Sequence, residues 1–407
     1  MNELQSIASW RPDHVPADLA WDQDYYDWAA ESEDPFLKVG ELHGGPDMLW
    51  VRSIDHLQPG WLPTRQAMIR EVLADTEHFS SAQSNMMGAI GLDWKLVPLE
   101  VDPPQQQLYR KVLEPFFAPK AIDALDGAVR AACEELIAGF GTRDSCEFAR
   151  EFAEKFPSHV VLDLMGMPRE KLDDFLAWER AMLYRPSPEA QIAAMTEIYH
   201  YLLEFVREQM RRPTSDLMRG IVTARYAGER PLTETEILSI CYILYIGGLD
   251  TVYSTLGWIM RHVAQDQPLQ GALRARPDRL VPAIEELLRA YSAASSQRRV
   301  IKDLEFHGVQ MRAGDVVQIS LPLAARDPQA YDNPHHVDLG RTPRHIAFGT
   351  GPHTCLGLRL AKREIRIVLE AFLGKFRDIR VPEGQGYDFH TGNVFGVDRL
   401  PIEWARV

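Results

Sequence analysis

Five long segments of the chain carry apolar residues at three- and four-residue spacing, the pattern of an α-helix that buries one face. They are Ala121–Phe140, Arg150–Leu164, Glu189–Arg212, Glu234–Gln265 and Arg279–Tyr291. Pro188 is a start signal for the third segment, and Thr233 with Glu236 forms a capping box ahead of the fourth. Pro157 should kink or interrupt the second. The pattern predicts a mainly α-helical fold.

Strand character is limited to short pieces with β-branched or alternating residues. They are Met48–Ser53, Leu304–Phe306, Val309–Met311 after a turn at His307-Gly308, and Val316–Ile319. Residues 322–344 are rich in Pro, Asp, Asn and His without a period, which indicates an ordered loop. Because no repeat or Gly/Ser linker divides the chain, we expect one domain over residues 1–407. It would have a helix-rich part and a small β-rich part, formed mainly by the N-terminal, 300–320 and C-terminal segments.

Composition and charge exclude several classes of protein. The 407 residues are 45% hydrophobic and 25% charged, enough for a large core, and a net charge of −14 argues against general binding to nucleic acid or anionic membranes. The four cysteines are scattered without zinc spacing, which favours a reducing compartment. Met1–Gln5 lacks a charged-then-apolar signal pattern, and the apolar run at Ile237–Ile246 is far short of a membrane span. The chain is predicted to be soluble and cytoplasmic.

One cysteine lies in an unusual sequence context, the segment Phe348–Gly357 (FGTGPHTCLG). This segment leads into a helical pattern over Leu358–Ile365. Glycines allow close backbone approach or positive φ, and amides at a helix start can stabilise a thiolate. Phe348 can shield the sulfur from water. An arbitrary cysteine is usually a buried structural residue. The residues around Cys355 instead indicate that it is a thiolate ligand of a metal centre.

The segment resembles the haem-binding loop of the cytochrome P450 family and matches its Phe-Gly-x-Gly-x-His-x-Cys-x-Gly pattern completely. The resemblance implies the cytochrome P450 fold, mainly α with a small β subdomain. It also implies haem b, iron protoporphyrin IX, with Cys355 as the axial ligand of the iron. Phe348, Gly349 and Gly357 would then lie beside the haem.

Two adjacent glycines lie within the predicted helix Glu234–Gln265, where each costs roughly 1 kcal/mol relative to alanine. They allow either a close helix crossing or a local kink that opens a groove. Gly247 to Thr251 (GGLDT) resembles the family's Gly/Ala-Gly-x-Asp/Glu-Thr pattern. The resemblance implies that Thr251 hydrogen-bonds dioxygen or its water and that Asp250 is a switchable proton link. This pair favours O2 plus electrons over peroxide.

Glu286 and Arg289 are spaced as an i,i+3 ion pair, which is commonplace on helices. Here the pair resembles the family's Glu-x-x-Arg motif. The resemblance implies that the pair is buried and joined by Arg341, and that the three side chains hold the scaffold on the haem side.

Cationic partners for the haem carboxylates are expected among residues that would otherwise be solvated surface groups. The segment from Asp102 to Arg110 resembles the family helix that carries a propionate-binding arginine, which implies that role for Arg110. Gln106 stands where many relatives have histidine, so its contact would be a neutral hydrogen bond. Arg298 and His353 are the other candidates.

A basic face is predicted from Lys111, Arg359, Lys362 and Arg363. It is either a solvated charged face or, in an acidic protein, a docking surface for an acidic electron donor. The resemblance implies a [2Fe-2S] ferredoxin served by an NAD(P)H-dependent ferredoxin reductase.

Nearly all positions that the resemblance places around a substrate are apolar, which suits a small hydrophobic molecule held by shape. They are Met86, Met87, Trp94, Ile243, Ile246, Gly247, Thr251, Ala293, Ala294, Val394 and Phe395. Met86 and Met87 are equally explained as adaptable core filler.

The subgroup of closest resemblance is the bacterial camphor-hydroxylase-like enzymes, through segments 247–252, 337–341 and 396–404. Trp94 stands where the camphor enzyme has a substrate-binding tyrosine, which argues against camphor itself. Ala293 and Ala294 leave room for a bulkier or longer terpenoid or norisoprenoid.

The leading hypothesis is therefore a haem-thiolate monooxygenase that hydroxylates a small hydrophobic substrate with O2 and two electrons from a ferredoxin. A peroxide-driven haem-thiolate enzyme is the first alternative. A non-catalytic haem sensor or carrier is the second, although Asp250 and Thr251 have no evident purpose there.

Overall fold

The computed structural model describes residues 10–407 apart from 55, 57, 83, 84 and 184–186. In chain order its α-helices are α1 (Tyr25–Ala30), α2 (Pro35–Gly40), α3 (Gln66–Ala74), α4 (Gln105–Phe117), α5 (Pro119–Ala124), α6 (Asp126–Ala138), α7 (Lys155–Met165), α8 (Leu172–Leu183), α9 (Pro188–Arg211), α10 (Asp216–Thr223), α11 (Glu234–Gln265), α12 (Gln267–Ala275), α13 (Leu280–Ala290), α14 (Leu321–Ala324) and α15 (Leu358–Lys375). A 3-10 helix spans Met86–Ile90 and another spans Gly351–His353, and Ala149–Ala153 forms a π-helical turn.

The strands are short. They are β1 (Ala20–Asp24), β2 (Met48–Ser53), β3 (Gly60–Pro63), β4 (Phe79–Ser80), β5 (Ser145–Glu147), β6 (Arg225–Tyr226), β7 (Arg230–Pro231), β8 (Ser295–Val300), β9 (Leu304–Phe306), β10 (Val309–Met311), β11 (Val316–Ser320), β12 (Phe376–Arg380), β13 (Asp388–His390), β14 (Gly396–Arg399) and β15 (Pro401–Arg406). The predicted class, mainly α with a small β part, is confirmed.

The chain divides into two compact units, and unit 1 comprises the described residues of Met1–Ser84, Glu285–Cys355 and His390–Phe395. Its sheet has the strand order β1-β2-β3-β11-β8-β4. Strands β8 and β11 pair antiparallel, with Arg298 opposite Val317, whereas β11 and β3 pair parallel. Residues of β2, α3 and β11 contribute to a buried apolar cluster. Unit 1 thus contains both the sheet and the cysteine loop.

Unit 2 comprises the described residues of Asn85–Ile284, Leu356–Phe389 and Gly396–Val407. It is built around α11, which packs on α7 and α9. Aromatic rings extend its core, since Phe152 lies 4.9 Å from Phe372 and Phe376 lies 4.4 Å from Trp404, measured between ring centroids. Strand β15 pairs with both β12 and β5 in this unit.

The predicted boundaries of the long helices are accurate where a cap marks them. Helix α11 spans the predicted residues, and its capping box is confirmed, with Thr233 and Glu236 each bonding the other's backbone N–H. At the start of α9, the Ser187 side chain accepts a hydrogen bond from Ala190 N at 3.1 Å.

Two predicted helices are wrong in detail. Segment 121–140 is divided between α5 and α6, which meet at Leu125. Segment 150–164 begins as the π-helical turn and becomes α-helical only at Lys155. Pro157 lies in the first turn of α7, where its missing N–H costs no internal hydrogen bond. The interruption therefore precedes the proline.

The predicted hairpin is confirmed. Strands β9 and β10 pair antiparallel, and His307 and Gly308 between them have φ of +47° and +81°. Positive φ at both positions is the geometry of a tight type I′ turn.

Helix α11 corrects the expectation that no segment reaches the length of a membrane span. It has 32 residues, and an 18-residue window in it has a mean hydropathy of 1.4. However, 67% of that window is buried inside the protein. Its length and composition alone would therefore allow α11 to span a membrane, but it is buried to the extent expected of a core helix.

Candidate active site

The cysteine loop is fixed by its own backbone and by one close approach to α3. Cys355 N donates to Phe348 O at 2.8 Å, and Thr354 N donates to Gly351 O at 3.1 Å. Gly349 and Gly351 have φ of +67° and +73°, and a Cβ on Gly351 would lie 2.5 Å from Leu73 O. Glycine at position 351 is therefore required for two reasons, the positive φ and the contact with α3.

Cys355 differs from the other three cysteines in its exposure. Its side chain is exposed, whereas Cys133, Cys146 and Cys241 are buried. Burial raises the pKa of Cys133 and of Cys241 to about 12 and that of Cys146 still further, which keeps these thiols protonated. Of the four, Cys355 is the thiol that a metal centre can reach.

Two candidate partners of the haem carboxylates belong to unit 1. Arg298 lies on β8, is 7% exposed, and donates from Nη1 to Gln297 O at 2.7 Å. His353 closes the 3-10 turn of the cysteine loop and is half-buried. The chain thus places one cation on the sheet and one imidazole two residues before the cysteine.

The structure brings the predicted brace of Glu286, Arg289 and Arg341 together. Arg289 Nη2 lies 2.5 Å from Glu286 Oε1, and both side chains are fully buried. Arg341 Nε donates to the same carboxylate oxygen at 3.1 Å, as does Asp338 N at 3.0 Å. The carboxylate therefore fixes the loop before the cysteine to α13.

Arg326, which the motif analysis missed, completes this brace. It is 2% exposed and donates to Ala290 O at 2.8 Å, Pro334 O at 3.0 Å and His335 O at 3.2 Å. Burial lowers the pKa of its guanidinium to about 10. Its partners are backbone carbonyls eight, nine and 36 residues away, and a backbone carbonyl leaves no mark in a side-chain motif.

In unit 2, the adjacent glycines of α11 serve different purposes. A Cβ on Gly248 would lie 2.6 Å from Val161 Cγ2 on α7, so this glycine permits the close helix crossing. At Gly247, apart from its chain neighbours and the nearby backbone of α11, no heavy atom of the described residues lies within 4 Å of such a Cβ. The helix remains α-helical through both residues. Of the two alternatives, the close crossing is present at Gly248, and open space lies beside Gly247 on a helix that is not interrupted.

These environments predict opposite outcomes for two alanine substitutions. Gly248→Ala should destabilise the protein by about 1–3 kcal/mol, because the stiff Val161 side chain cannot yield without strain. Gly247→Ala should stabilise it by about 1 kcal/mol through helix propensity. Thermal unfolding of both variants measures the difference, and equal shifts would contradict the assignment.

Asp250 and Thr251 lie on neighbouring faces of α11. Thr251 Oγ1 donates to Gly247 O at 3.2 Å, one turn earlier, so its hydroxyl lies beside the open space at Gly247. Asp250 is 4% exposed and accepts a hydrogen bond from Ser254 Oγ at 3.4 Å. The accessible hydroxyl group of Thr251 and the buried carboxyl group of Asp250 therefore belong to adjacent residues of α11.

Helix α4 carries the remaining haem-carboxylate candidates. Gln106 is fully buried, and Arg110, one turn later on the same face, has a side chain that is 18% exposed. Arg110 Nε lies 3.8 Å from Glu114 Oε1, a loose contact between charges one turn apart.

The predicted basic face is smaller than the sequence suggested. Arg363 lies 2.5 Å from Asp126 Oδ1 and equally close to Asp123 Oδ1, so two carboxylates balance its charge. Lys111 and Arg359 are exposed. Arg363 is therefore corrected to a structural residue that joins α15 to α5 and α6.

Predicted pocket residues of unit 2 surround one apolar cluster. Met86, Trp94 and Ile246 are partly buried and pack against it, and the Trp94 ring lies 6.5 Å from that of Tyr199. Ile243 is half-buried and lies one turn before Gly247 on the same face of α11. Met87 is fully buried inside the cluster, so it is core filler and not a lining residue.

Glu100 and Ser239 position this lining, and the motif analysis missed both. Glu100 is 1% exposed and accepts hydrogen bonds from Met86 N at 2.7 Å and Leu96 N at 2.9 Å. Ser239 on α11 bonds Val97 N at 2.6 Å and Lys95 O at 2.9 Å. The loop that carries Met86 and Trp94 is therefore fixed at both ends.

The pocket residues predicted in unit 1 lie on two paired segments. Ala294 forms a bridge with Val394, and Phe395 N donates to Ala293 O at 3.0 Å. The Phe395 ring is fully buried and lies 5.6 Å from Phe36. Alternate residues of an extended segment face opposite sides, so Phe395 belongs to the core and the half-buried Val394 to the other side.

The donor set fits haem b. The exposed thiol of Cys355 is the ligand type that haem-thiolate proteins use, and Arg298 and His353 of the same unit are side chains that suit carboxylates. The Gly351 contact and the positive φ of Gly349 give the loop a backbone that larger residues cannot adopt.

Comparison with known proteins supports the same assignment. The family model for cytochrome P450 matches residues 156–405. The chain is 35% identical over 402 residues to a probable cytochrome P450 127A1 of Sinorhizobium fredii, covering 97% of each chain. It is 28% identical to the polyketide biosynthesis cytochrome P450 PksS of Bacillus subtilis, over 86% of this chain and 90% of that one.

A solved structure shares the whole fold. The crystal structure of cytochrome P450 CYP101C1 superposes with a TM-score of 0.87 at 29% identity, covering 97% of this chain and all of that one. The chain belongs to the cytochrome P450 family and is a monooxygenase that uses haem b and O2.

Proposed function

We propose that this enzyme hydroxylates a small hydrophobic substrate, a terpenoid or norisoprenoid, with O2 and two electrons from a ferredoxin. The observation that carries the proposal is the arrangement on α11: the Thr251 hydroxyl beside the open space at Gly247, and the buried Asp250 next to it. An alcohol and a switchable acid are what proton delivery to dioxygen requires.

The first group of roles concerns the haem and the loop that would bind it. Cys355 would bind the iron, and Phe348, Gly349 and Gly357 would lie beside it. Arg298 and His353 would neutralise haem carboxylates. Glu286, Arg289 and Arg341 would hold the loop in place without touching a reacting atom.

The second group of roles concerns protons and a haem carboxylate. Haem b, when bound, supplies the activation of dioxygen by two electrons, which sends one oxygen atom into a C–H bond and the other into water. Thr251 would hydrogen-bond the oxygen ligand or its water, and Asp250 would pass protons to it from its buried position. Arg110 and Gln106 would hold a haem carboxylate, the first by charge and the second by a neutral hydrogen bond.

The substrate class is inferred from the chemical character of the predicted pocket residues. Met86, Trp94, Ile243 and Ile246 are apolar and only partly buried, and Ala293 and Ala294 are small. The Trp94 indole N–H can donate one hydrogen bond to a ketone or alcohol. We therefore propose a largely hydrocarbon molecule with at most one or two oxygen atoms.

A spectroscopic screen tests this proposal. Terpenoid and norisoprenoid ketones, alcohols and hydrocarbons are titrated into the purified haem protein, and the low-to-high spin shift reports loss of water from the iron. Micromolar dissociation constants for a member of this class would support it. A response confined to polyketide-like or steroid ligands would overturn the substrate class but not the monooxygenase activity.

The electron donor is proposed to be an acidic [2Fe-2S] ferredoxin, reduced by an NAD(P)H-dependent reductase in the cytoplasm. In a chain of net charge −14, Lys111, Arg359 and Lys362 would form a local basic patch that steers such a partner. Turnover with ferredoxin and reductase, and none with hydrogen peroxide alone, is the expected result. Equal turnover with peroxide would favour the peroxide-driven alternative, and no turnover with either would favour a haem sensor.

Thr251→Ala should uncouple the enzyme. Electron consumption continues, but product formed per electron falls at least about tenfold, because proton delivery loses its hydroxyl. Product and hydrogen peroxide are measured against NAD(P)H consumed. Thr255→Ala is the matched control, since Thr255 Oγ1 makes the same kind of bond one turn later, to Thr251 O at 2.7 Å. Wild-type coupling in Thr251→Ala would remove this residue from proton delivery.

A further inference from the structure

A buried tyrosine of α1 joins three distant segments of unit 1. Tyr26 is 1% exposed, and its hydroxyl oxygen accepts a hydrogen bond from Gln318 Nε2 at 2.8 Å and donates to Asn393 Oδ1 at 3.2 Å. Gln318 on β11 is also fully buried. The two partners are 292 and 367 positions away from Tyr26 along the chain. One hydroxyl group therefore connects α1, β11 and the stretch of chain that contains Asn393.

A second hydrogen bond ties Tyr26 to the same stretch of chain. Thr391 Oγ1 donates to the backbone carbonyl of Tyr26 at 2.9 Å. Thr391 and Val394 are half-buried and Asn393 is exposed, so residues 391–394 bury little apolar surface of their own. A segment with few buried apolar contacts is held mainly by its hydrogen bonds. The position of residues 391–394 therefore depends on Tyr26.

The stretch that Tyr26 holds carries part of the predicted substrate pocket. Val394 forms the bridge with Ala294, and next to it Ser295 N donates to Asn393 O at 2.6 Å. Val394 and Ala294 are both half-buried and both apolar. These two residues form what we call the pocket wall. Because Asn393 and Val394 are adjacent in the chain, a change that releases Asn393 also frees one side of the pocket wall.

The ring of Tyr26 and its hydroxyl group make separate contributions. The ring lies 6.4 Å from that of Phe395, edge to face, and phenylalanine would keep this contact. The hydroxyl group is needed by Gln318, whose Oε1 accepts no hydrogen bond from any described residue. Without the hydroxyl group, Gln318 Nε2 would lose its partner as well, and an unpaired buried amide is costly. Packing alone does not require a tyrosine here, but the polar network does.

We propose that Tyr26 is a positioning residue for substrate specificity: it holds residues 391–394 so that Val394, paired with Ala294, presents a rigid surface to the substrate. The inference rests on the proposed function, in which Val394 and Ala294 line the pocket. It requires no contact between Tyr26 and the substrate. A preorganised surface binds a matching ligand more tightly than a mobile one, because less conformational freedom is lost on binding.

Two nitrogen ligands of the haem protein test this role without knowledge of the substrate. Imidazole is small, whereas 4-phenylimidazole adds a phenyl group that must fit the pocket. Tyr26→Phe should weaken the binding of 4-phenylimidazole about three- to tenfold, the effect of about one lost hydrogen bond. The affinity for imidazole should stay within about twofold of wild type, because so small a ligand does not depend on the shape of the pocket wall. The Soret shift on nitrogen ligation gives both dissociation constants.

Tyr331→Phe is the matched control. Tyr331 is also a buried tyrosine of unit 1, 7% exposed, and its hydroxyl group accepts a hydrogen bond from Gln66 Nε2 at 2.7 Å. Its partner belongs to α3 and not to the stretch 391–394. This variant should keep the wild-type affinity for both ligands. Equal weakening of 4-phenylimidazole binding in Tyr331→Phe would overturn the inference, since any lost tyrosine hydroxyl in the unit would then have the same effect.

Asn393→Ala removes the same contact from its other side. It should reproduce the weaker binding of 4-phenylimidazole, and it decides the matter if Tyr26→Phe does not fold. Wild-type affinity for 4-phenylimidazole in a folded Tyr26→Phe protein, or in Asn393→Ala, would show that the network does not position the pocket wall.

Val394→Ala distinguishes the two levels of the argument. If Val394→Ala weakens 4-phenylimidazole binding while Tyr26→Phe and Asn393→Ala do not, only the role of Tyr26 fails. If Val394→Ala binds both ligands as the wild type does, the placement of Val394 in the pocket fails first, and the role of Tyr26 with it. Neither ligand is a terpenoid, so failure of the terpenoid class in the spectroscopic screen would leave the role of Tyr26 intact.

Discussion

Replacing Cys355 with serine should abolish the spectrum and activity of a haem-thiolate enzyme. The reduced wild-type protein with carbon monoxide should absorb at the long-wavelength Soret position that is diagnostic of the family. Cys355→Ser should lose this band and lower product formation by at least about 1,000-fold, because thiolate donation favours O–O cleavage. The loop itself should survive, since its backbone bonds and its two positive-φ glycines do not involve the sulfur.

Cys133→Ala is the control for this substitution. Cys133 is buried and its thiol is held protonated by a pKa of about 12, so it offers no thiolate. This variant should keep both the band and the activity. A wild-type band in Cys355→Ser, or its loss in Cys133→Ala, would show that the iron has another ligand.

Glu286→Ala should be among the most destabilising single substitutions in the chain. It leaves Arg289, which is fully buried, without its carboxylate partner, and it also removes the acceptor of Arg341 and of Asp338 N. Breaking a buried pair by removing one partner costs about 3–5 kcal/mol. Urea unfolding of the haem protein, followed by far-UV circular dichroism, measures this loss, and haem retention should fall with it.

The control is an ion pair of similar length at the surface. Arg276 Nη2 lies 2.9 Å from Asp278 Oδ2, and both side chains are more than half exposed. Asp278→Ala should leave the unfolding midpoint unchanged within error, because solvent screens the pair. Equal destabilisation by both substitutions would show that Glu286 acts through something other than its burial.

Local signals in the sequence predicted the elements that local interactions determine. The capping box of α11 is complete within four residues, and the hairpin turn at His307-Gly308 needs only its own backbone. By contrast, the π-helical turn at Ala149–Ala153 has apolar spacing close to that of an α-helix, so periodicity alone could not distinguish them.

The candidate site residues also fall into two groups: those that a short motif identifies, and those whose role depends on partners distant in sequence. Cys355, Asp250 and Thr251 stand in short motifs, and the sequence alone singled them out. Whether Arg363 was free or paired depended on Asp123 and Asp126, more than 230 positions away. A charge pattern along one helix carries no information about such partners.

From its motifs alone, the sequence determined the family of this protein, its mainly α fold and its haem chemistry, because each motif is a short run whose residues act on one another. Only the tertiary structure decided which adjacent glycine permits a helix crossing, which methionine is core, and which arginine of the predicted basic face is paired. Those outcomes depend on packing between segments remote in sequence. When segments remote in sequence pack together, burial and electrostatic interaction, rather than residue type alone, determine the chemistry of a side chain.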